Sequence, residues 1–185
     1  MKRTLIFSFA VVALLAAGFA IANGTSDAQS NNKEARQAQH EARQQQRAQR
    51  LAEYREQLDS TILSHNYRFV PQTMQQLPAG MMRNLMNPCY EIIVWSEAVD
   101  VCIPFLKGYT PPYYPVVFNY VLSSVQGYTA EQTEYGWHVT FQSTMFTATN
   151  FTFSFEIYNH YGGATLTISS PFYNSMQYTG NIFGI

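Results

Sequence analysis

Asn150-Phe151-Thr152-Phe153-Ser154-Phe155-Glu156-Ile157-Tyr158 alternates apolar and polar side chains at nearly every step. A period of two puts Phe151, Phe153, Phe155 and Ile157 on one side of an extended chain and Thr152, Ser154, Glu156 and Tyr158 on the other. The stretch therefore reads as a strand with one dry and one wet face. Its neighbours repeat the pattern. Trp137, Val139 and Phe141 alternate with His138, Thr140 and Gln142, and Ala164, Leu166 and Ile168 alternate with Thr165, Thr167 and Ser169. Tyr135-Gly136, His160-Tyr161-Gly162-Gly163 and Pro171–Asn174 supply the turns, and Met176, Tyr178, Gly180 and Ile182 end the series.

Upstream, Cys89–Phe105 reads as a hairpin. Tyr90, Ile92 and Val94 face one way on its first arm, and Val99, Val101 and Ile103 do so on its second. Val116–Leu122 is a further strand, and Tyr128–Thr133 is a weaker one. Tyr67–Gln72 opens the sheet, with Pro71 suited to an edge or a strand end. The Met-rich stretch Thr73–Pro88 is expected to form a long loop, read either as an adaptable binding surface or as a plug at the core's edge. The plug is the preferred reading.

A one-sided sheet must cover its dry face. From Lys33 to about Ser64 the chain is rich in Ala, Gln, Glu and Arg and free of Pro and Gly, which favours a helix. Between Ala35 and Arg50 its only apolar residues are alanines, whereas Leu51, Tyr54, Leu58 and Ile62 form a stripe. The second half of the helix is expected to dock, and the first half to project. The fold class is α+β: one long helix packed on a curved antiparallel meander of about eight or nine strands. One helix is too narrow for so many strands, so the sheet must curl around it.

The remaining organisation follows from composition. Residues 1–22 read as a signal peptide: Lys2 and Arg3 precede the apolar run Leu5–Ala22, and Ala20-Ile21-Ala22 suits cleavage between Ala22 and Asn23. The other reading is an uncleaved anchor. Residues 23–32 form a polar linker, 33–64 the helix and 65–185 the β domain. No cysteine stands at the cleavage point, which argues against a lipoprotein, and no later segment is apolar enough to span a membrane. The expected address is the periplasm or the exterior.

Export permits a disulfide between Cys89 and Cys102, whose offset across the hairpin leaves free thiols equally open. Charged residues make up 12% of the chain and the net charge is −1, so no basic field points to nucleic acid. Tyr109, Tyr113 and Tyr114 lie in a Pro-stiffened run, Gly108–Pro115, and offer either a binding surface or a closure for one end of the core.

Ser64-His65-Asn66-Tyr67-Arg68-Phe69, Ile103-Pro104-Phe105-Leu106-Lys107-Gly108-Tyr109 and Ala164–Ser170 followed by Met176-Gln177-Tyr178-Thr179-Gly180 occur in this order. In these motifs the chain resembles the exported bacterial family called domain of unknown function 4251, typical of Bacteroidetes, over about residues 33–182. It departs at Thr110–Pro115, where the family carries a Gly-rich run. The resemblance implies fold and export. The family has no established activity, so no functional residue carries over.

Motifs for chemistry are sparse. His40, His65, His138 and His160 show no metal-ligand spacing, and no Gly-x-Ser-x-Gly elbow occurs. No catalytic, metal or cofactor residue is assigned. Asn150-Phe151-Thr152 is a glycosylation sequon lying mid-strand, and is read as chance. Two functions stay open: a non-catalytic module binding an envelope protein or glycan, and a hydrolase or carbohydrate-active enzyme gathering His138 and Glu156 on the wet face. Protein recovered from the envelope of the producing cell is expected to begin at Asn23, read by intact mass. Retention of Leu5–Ala22 would make that segment an anchor.

Overall fold

The computed structural model describes residues 27–107, 114–123, 125–145, 149–160 and 162–185. The signal peptide, Ala22 and Asn23, and the loop carrying Tyr109 and Tyr113 lie outside them. The chain divides into two units, Met1–Gln44 and Gln45–Ile185. Helix α1 spans Asp27–Leu63. It starts within the stretch read as linker, because Asp27–Leu63 contains no Gly or Pro and an acidic residue suits a helix N-terminus. Residues 33–44 of the first unit are exposed throughout.

In the second unit, α1 ends at a left-handed residue, His65, with φ of 55°. The Ser64 N–H donates to the Ser60 carbonyl at 3.0 Å and the His65 N–H to Ile62 at 3.2 Å, which closes the last turn. The strands follow: β1 (Tyr67–Gln76), β2 (Arg83–Asn84), β3 (Glu91–Val94), β4 (Val99–Lys107), β5 (Tyr114–Leu122), β6 (Gln126–Thr133), β7 (Gly136–Met145), β8 (Thr149–Tyr158), β9 (Gly163–Ser170) and β10 (Tyr173–Gly184). Their order in the sheet is β5-β4-β3-β1-β10-β9-β8-β7-β6, with β2 beside β1.

This order forces closure. Every neighbouring pair is antiparallel, so β5 and β6, at opposite edges, run the same way. A flat sheet of this width would hold its edges roughly 38 Å apart at about 4.8 Å per strand. The chain passes from Leu122 to Gln126 in four steps, which reach at most about 14 Å. The sheet therefore curls until the end of β5 comes near the start of β6, which brings Phe118 of β5 against Phe151 of β8 across the interior.

The interior is aromatic. Phe105 of β4 stacks on Phe118 of β5 at 4.4 Å, and both meet Phe151 of β8 edge-on, at 6.3 and 5.8 Å. Phe69 meets Phe155 at 5.6 Å, and Phe141 stacks on Phe153 at 4.9 Å. All these rings are fully buried, each contributing roughly 1.5–3 kcal/mol. The Tyr178 hydroxyl donates to the Pro104 carbonyl at 2.7 Å across this interior, so β10 is tied to β4. Burial pushes the Tyr178 phenol well above its usual value, and an acceptor is what such a hydroxyl needs.

The fold class is the one expected, one helix with a curled antiparallel sheet, and the helix stripe docks through the buried Leu58 and Ile62, with Tyr54 at the margin and Leu51 only half-buried. Two details differ. Pro71 sits in a central strand, at a bulge between Pro71 and Thr73. It is tolerated because β3 pairs with β1 only over Tyr67–Phe69 and β2 only at Thr73 and Met74. Gly180 opposes Pro71, and a Cβ there would come within 2.1 Å of the Val70 carbonyl. The second concerns the Met-rich stretch. Met74 continues β1 inward and Leu85 packs against the core, as a plug would, but Met81, Met82 and Met86 are 84, 60 and 91% exposed. The stripe makes a graded prediction. In urea denaturation Leu58→Ala is expected to cost about 2–5 kcal/mol, and Leu51→Ala less than about 1 kcal/mol.

Candidate functional site

Curling sends the dry faces inward and leaves the wet faces of β6 to β9 as a continuous outer surface. The register lines up its side chains in rows. Glu131 opposes His138, His138 opposes Glu156, and Glu156 opposes Thr165. In the next row Thr129, Thr140, Ser154 and Thr167 face one another in turn. His138 ties the two rows: its Nε2 lies 2.9 Å from the Thr140 hydroxyl and 3.2 Å from that of Ser154. The clustering of His138 with Glu156 expected from the sequence is thus present, as cross-strand neighbours.

One row nearer the strand ends, Thr133 opposes Gly136 and Gly136 opposes Tyr158. Gly136 has φ of +152°, and a Cβ there would come within 1.8 Å of the Ile157 carbonyl. The chain can thus place no side chain between Thr133 and Tyr158. On its other flank Tyr158 packs along Gly163, whose added Cβ would stand 3.6 Å from the ring. The Tyr158 hydroxyl is held by Thr165 at 3.1 Å. A cleft of about 310 Å³ results, lined by Thr133, Tyr135, Trp137, His138, Glu156, Ile157 and Tyr158. Tyr135 is 73% exposed at the β6–β7 turn, and Tyr158 is 40% exposed. Beneath, the Trp137 indole N–H donates to Asp59 of α1 at 2.7 Å and fixes β7 to the helix.

A Ser–His contact exists, and no ion pair joins His138 to a carboxylate among the described residues. Glu131 and Glu156 are exposed, whereas the proton-donating carboxyl of a glycosidase sits in an apolar pocket. Among the described residues no group of three or more His, Cys, Asp or Glu could hold a metal ion, and no helix is long and apolar enough to cross a membrane.

Of the other residues expected from sequence, Tyr109 and Tyr113 lie outside the described residues. Tyr114 is the first residue of β5, opposite Lys107. Cys89 and Cys102 are free thiols, exposed and half-buried respectively. Cys102 pairs with Glu91, the first residue of β3, and Cys89 lies in the turn that precedes that strand. Tyr135 and Tyr158 were missed as a pair. Tyr135 directly precedes the turn glycine Gly136, but Tyr158 meets that glycine only through the register of β7 with β8.

A family model described as Domain of unknown function (DUF4251) matches residues 49–182. The chain belongs to the DUF4251 family. A crystal structure of a DUF4251 family protein from Bacteroides eggerthii DSM 20697 is similar in fold, with 14% identity and a TM-score of 0.55 over 71% of this chain and 87% of that one. No curated protein matches. Within this DUF4251 chain the two thiols differ in environment. Burial first, then the nearby charges of Asp100, Cys89 and Glu91, push the Cys102 thiol above its usual value. Iodoacetamide near neutral pH is therefore expected to alkylate Cys89 first, with Cys102 labelling catching up as pH rises, read by peptide mass spectrometry.

Proposed function

We propose that this DUF4251 protein is an exported, periplasmic binding module of the cell envelope that recognises its partner without chemical turnover. The observation that carries the reading is the outer face of β6 to β9. Its polar groups are held in register by the sheet and end in a cleft with two exposed tyrosines. Rigid aromatic area on a preformed surface binds at low ordering cost. Export is supported by Lys2, Arg3, the run Leu5–Ala22 and the Ala20-Ile21-Ala22 site. The Pro-stiffened run with Tyr109, Tyr113 and Tyr114 is a second candidate surface on the same grounds.

One observation favours a hydrolytic reading. Glu131 and Glu156 flank His138 from adjacent strands, which sets their Cα atoms about 9–10 Å apart. Their exposure argues against it, as above.

The test is capture from envelope extract on immobilised protein. Wild type is expected to retain material that a Tyr135→Ala/Tyr158→Ala double variant loses by tenfold or more, while Tyr113→Ala/Tyr114→Ala retains it. Loss only in the second variant would move the binding surface to the Pro-stiffened run.

A further inference from the structure

The cleft's own chemistry narrows what it takes. We infer that it is a subsite for a neutral carbohydrate chain, with Tyr158 as the stacking platform and Glu156, His138 and Thr133 as its polar contacts. This deepens the binding reading above and rests on it.

Four observations converge. The Tyr158 hydroxyl meets that of Thr165 at 3.1 Å, and Gly163 puts no side chain against the ring on that flank. Gly136 leaves open the row position beside it. A sugar ring has an apolar C–H face and a rim of hydroxyls. The first suits a fixed aromatic ring, and the second suits a carboxylate, an imidazole and a hydroxyl at the rim. Glu156 accepts from a pair of neighbouring hydroxyls. The Thr133 hydroxyl, which donates to the Gly136 carbonyl at 3.1 Å, still accepts, and His138, with Nε2 taken by Thr140 and Ser154, offers its other ring nitrogen.

Charge excludes one class of sugar. Glu156 lines the cleft, Glu131 opposes His138, and Glu134 adjoins Tyr135, while no Lys or Arg lines the cleft. An acidic sugar would meet only like charge there.

The surroundings favour a chain over a single ring. From the cleft the face runs on through Thr140, Ser154, Thr165 and Thr167, a field of hydroxyls without a charge among them. Such a surface offers donors and acceptors to further hydroxyls. It offers no apolar pocket for the side chains of a peptide. A cationic peptide remains the competing occupant, since Tyr rings beside carboxylates also attract cations. Exposed contacts of that kind are weak.

Native gels cast with dextran, mannan or xylan test the class, with alginate as an acidic polysaccharide and a lysine-rich peptide titrated in solution as the cationic probe. Wild type is expected to be retarded by at least one of the three neutral chains and not by alginate. Tyr158→Ala and Glu156→Gln are expected to weaken the retardation by tenfold or more with unchanged Tm. Tyr158→Phe, which keeps the ring, is expected to lose less. Met86→Ala, away from the cleft, should migrate like wild type. No retardation in any neutral gel, or equal retardation of the Tyr158→Ala protein, overturns the inference. If the envelope capture still depends on Tyr135 and Tyr158 in that event, the binding reading stands and only the ligand class fails. Binding of the lysine-rich peptide alone would assign the cleft to cations. Release of new reducing ends from any of the chains would overturn both readings.

Discussion

Three residues join the two outermost strands of the sheet. That covalent limit, acting on nine strands that all pair antiparallel with their neighbours, leaves one solution: the sheet rolls up and brings its two edge strands, β5 and β6, near each other. Every other feature depends on it. Closure brings Phe105 and Phe118 from one half against Phe151 of the other. It also places the Tyr178 hydroxyl within reach of the Pro104 carbonyl. The helix is left with a small duty, to close the structure with Leu58 and Ile62 and to anchor β7 through Asp59.

Closure also decides which residues are available for function. With the dry faces turned inward, the alternate side chains of β6 to β9 must face solvent, and register sorts them into rows. Proteins commonly keep recognition on loops carried by a rigid scaffold. Here the scaffold itself presents the polar groups, and one turn, at Tyr135, adds the aromatic rim. The preorganisation comes from the ladder: Ser154 and Thr140 hold His138, and Thr165 holds Tyr158.

Much of the sheet was legible in the sequence because period-two alternation is a local signal. Phe151, Phe153, Phe155 and Ile157 are all buried, as are Trp137, Val139 and Phe141. The helix stripe was read correctly at Leu58 and Ile62 and overstated at Leu51, because its role depends on whether a sheet needs a cover, which is a question of topology. Pro71 misled for a related reason. The rule that proline avoids central strands is local, whereas the bulge and the change of partner from β3 to β2 that accommodate it are not. The candidate site was half legible. His138 and Glu156 share a face by alternation alone. That they are direct neighbours, and that Gly136 empties the row beside Tyr158, depends on register, which hundreds of alternative pairings leave undetermined.

The pairing of β1 with β10, Tyr67 against Gly184, has a consequence for how the molecule comes into being. The first strand of the body waits for the last, more than a hundred residues later. No partial chain can close, and topologies dominated by such distant pairings fold slowly. Until β10 is made, β1 and β9 both lack the neighbour they share, and the growing chain stays open along that seam.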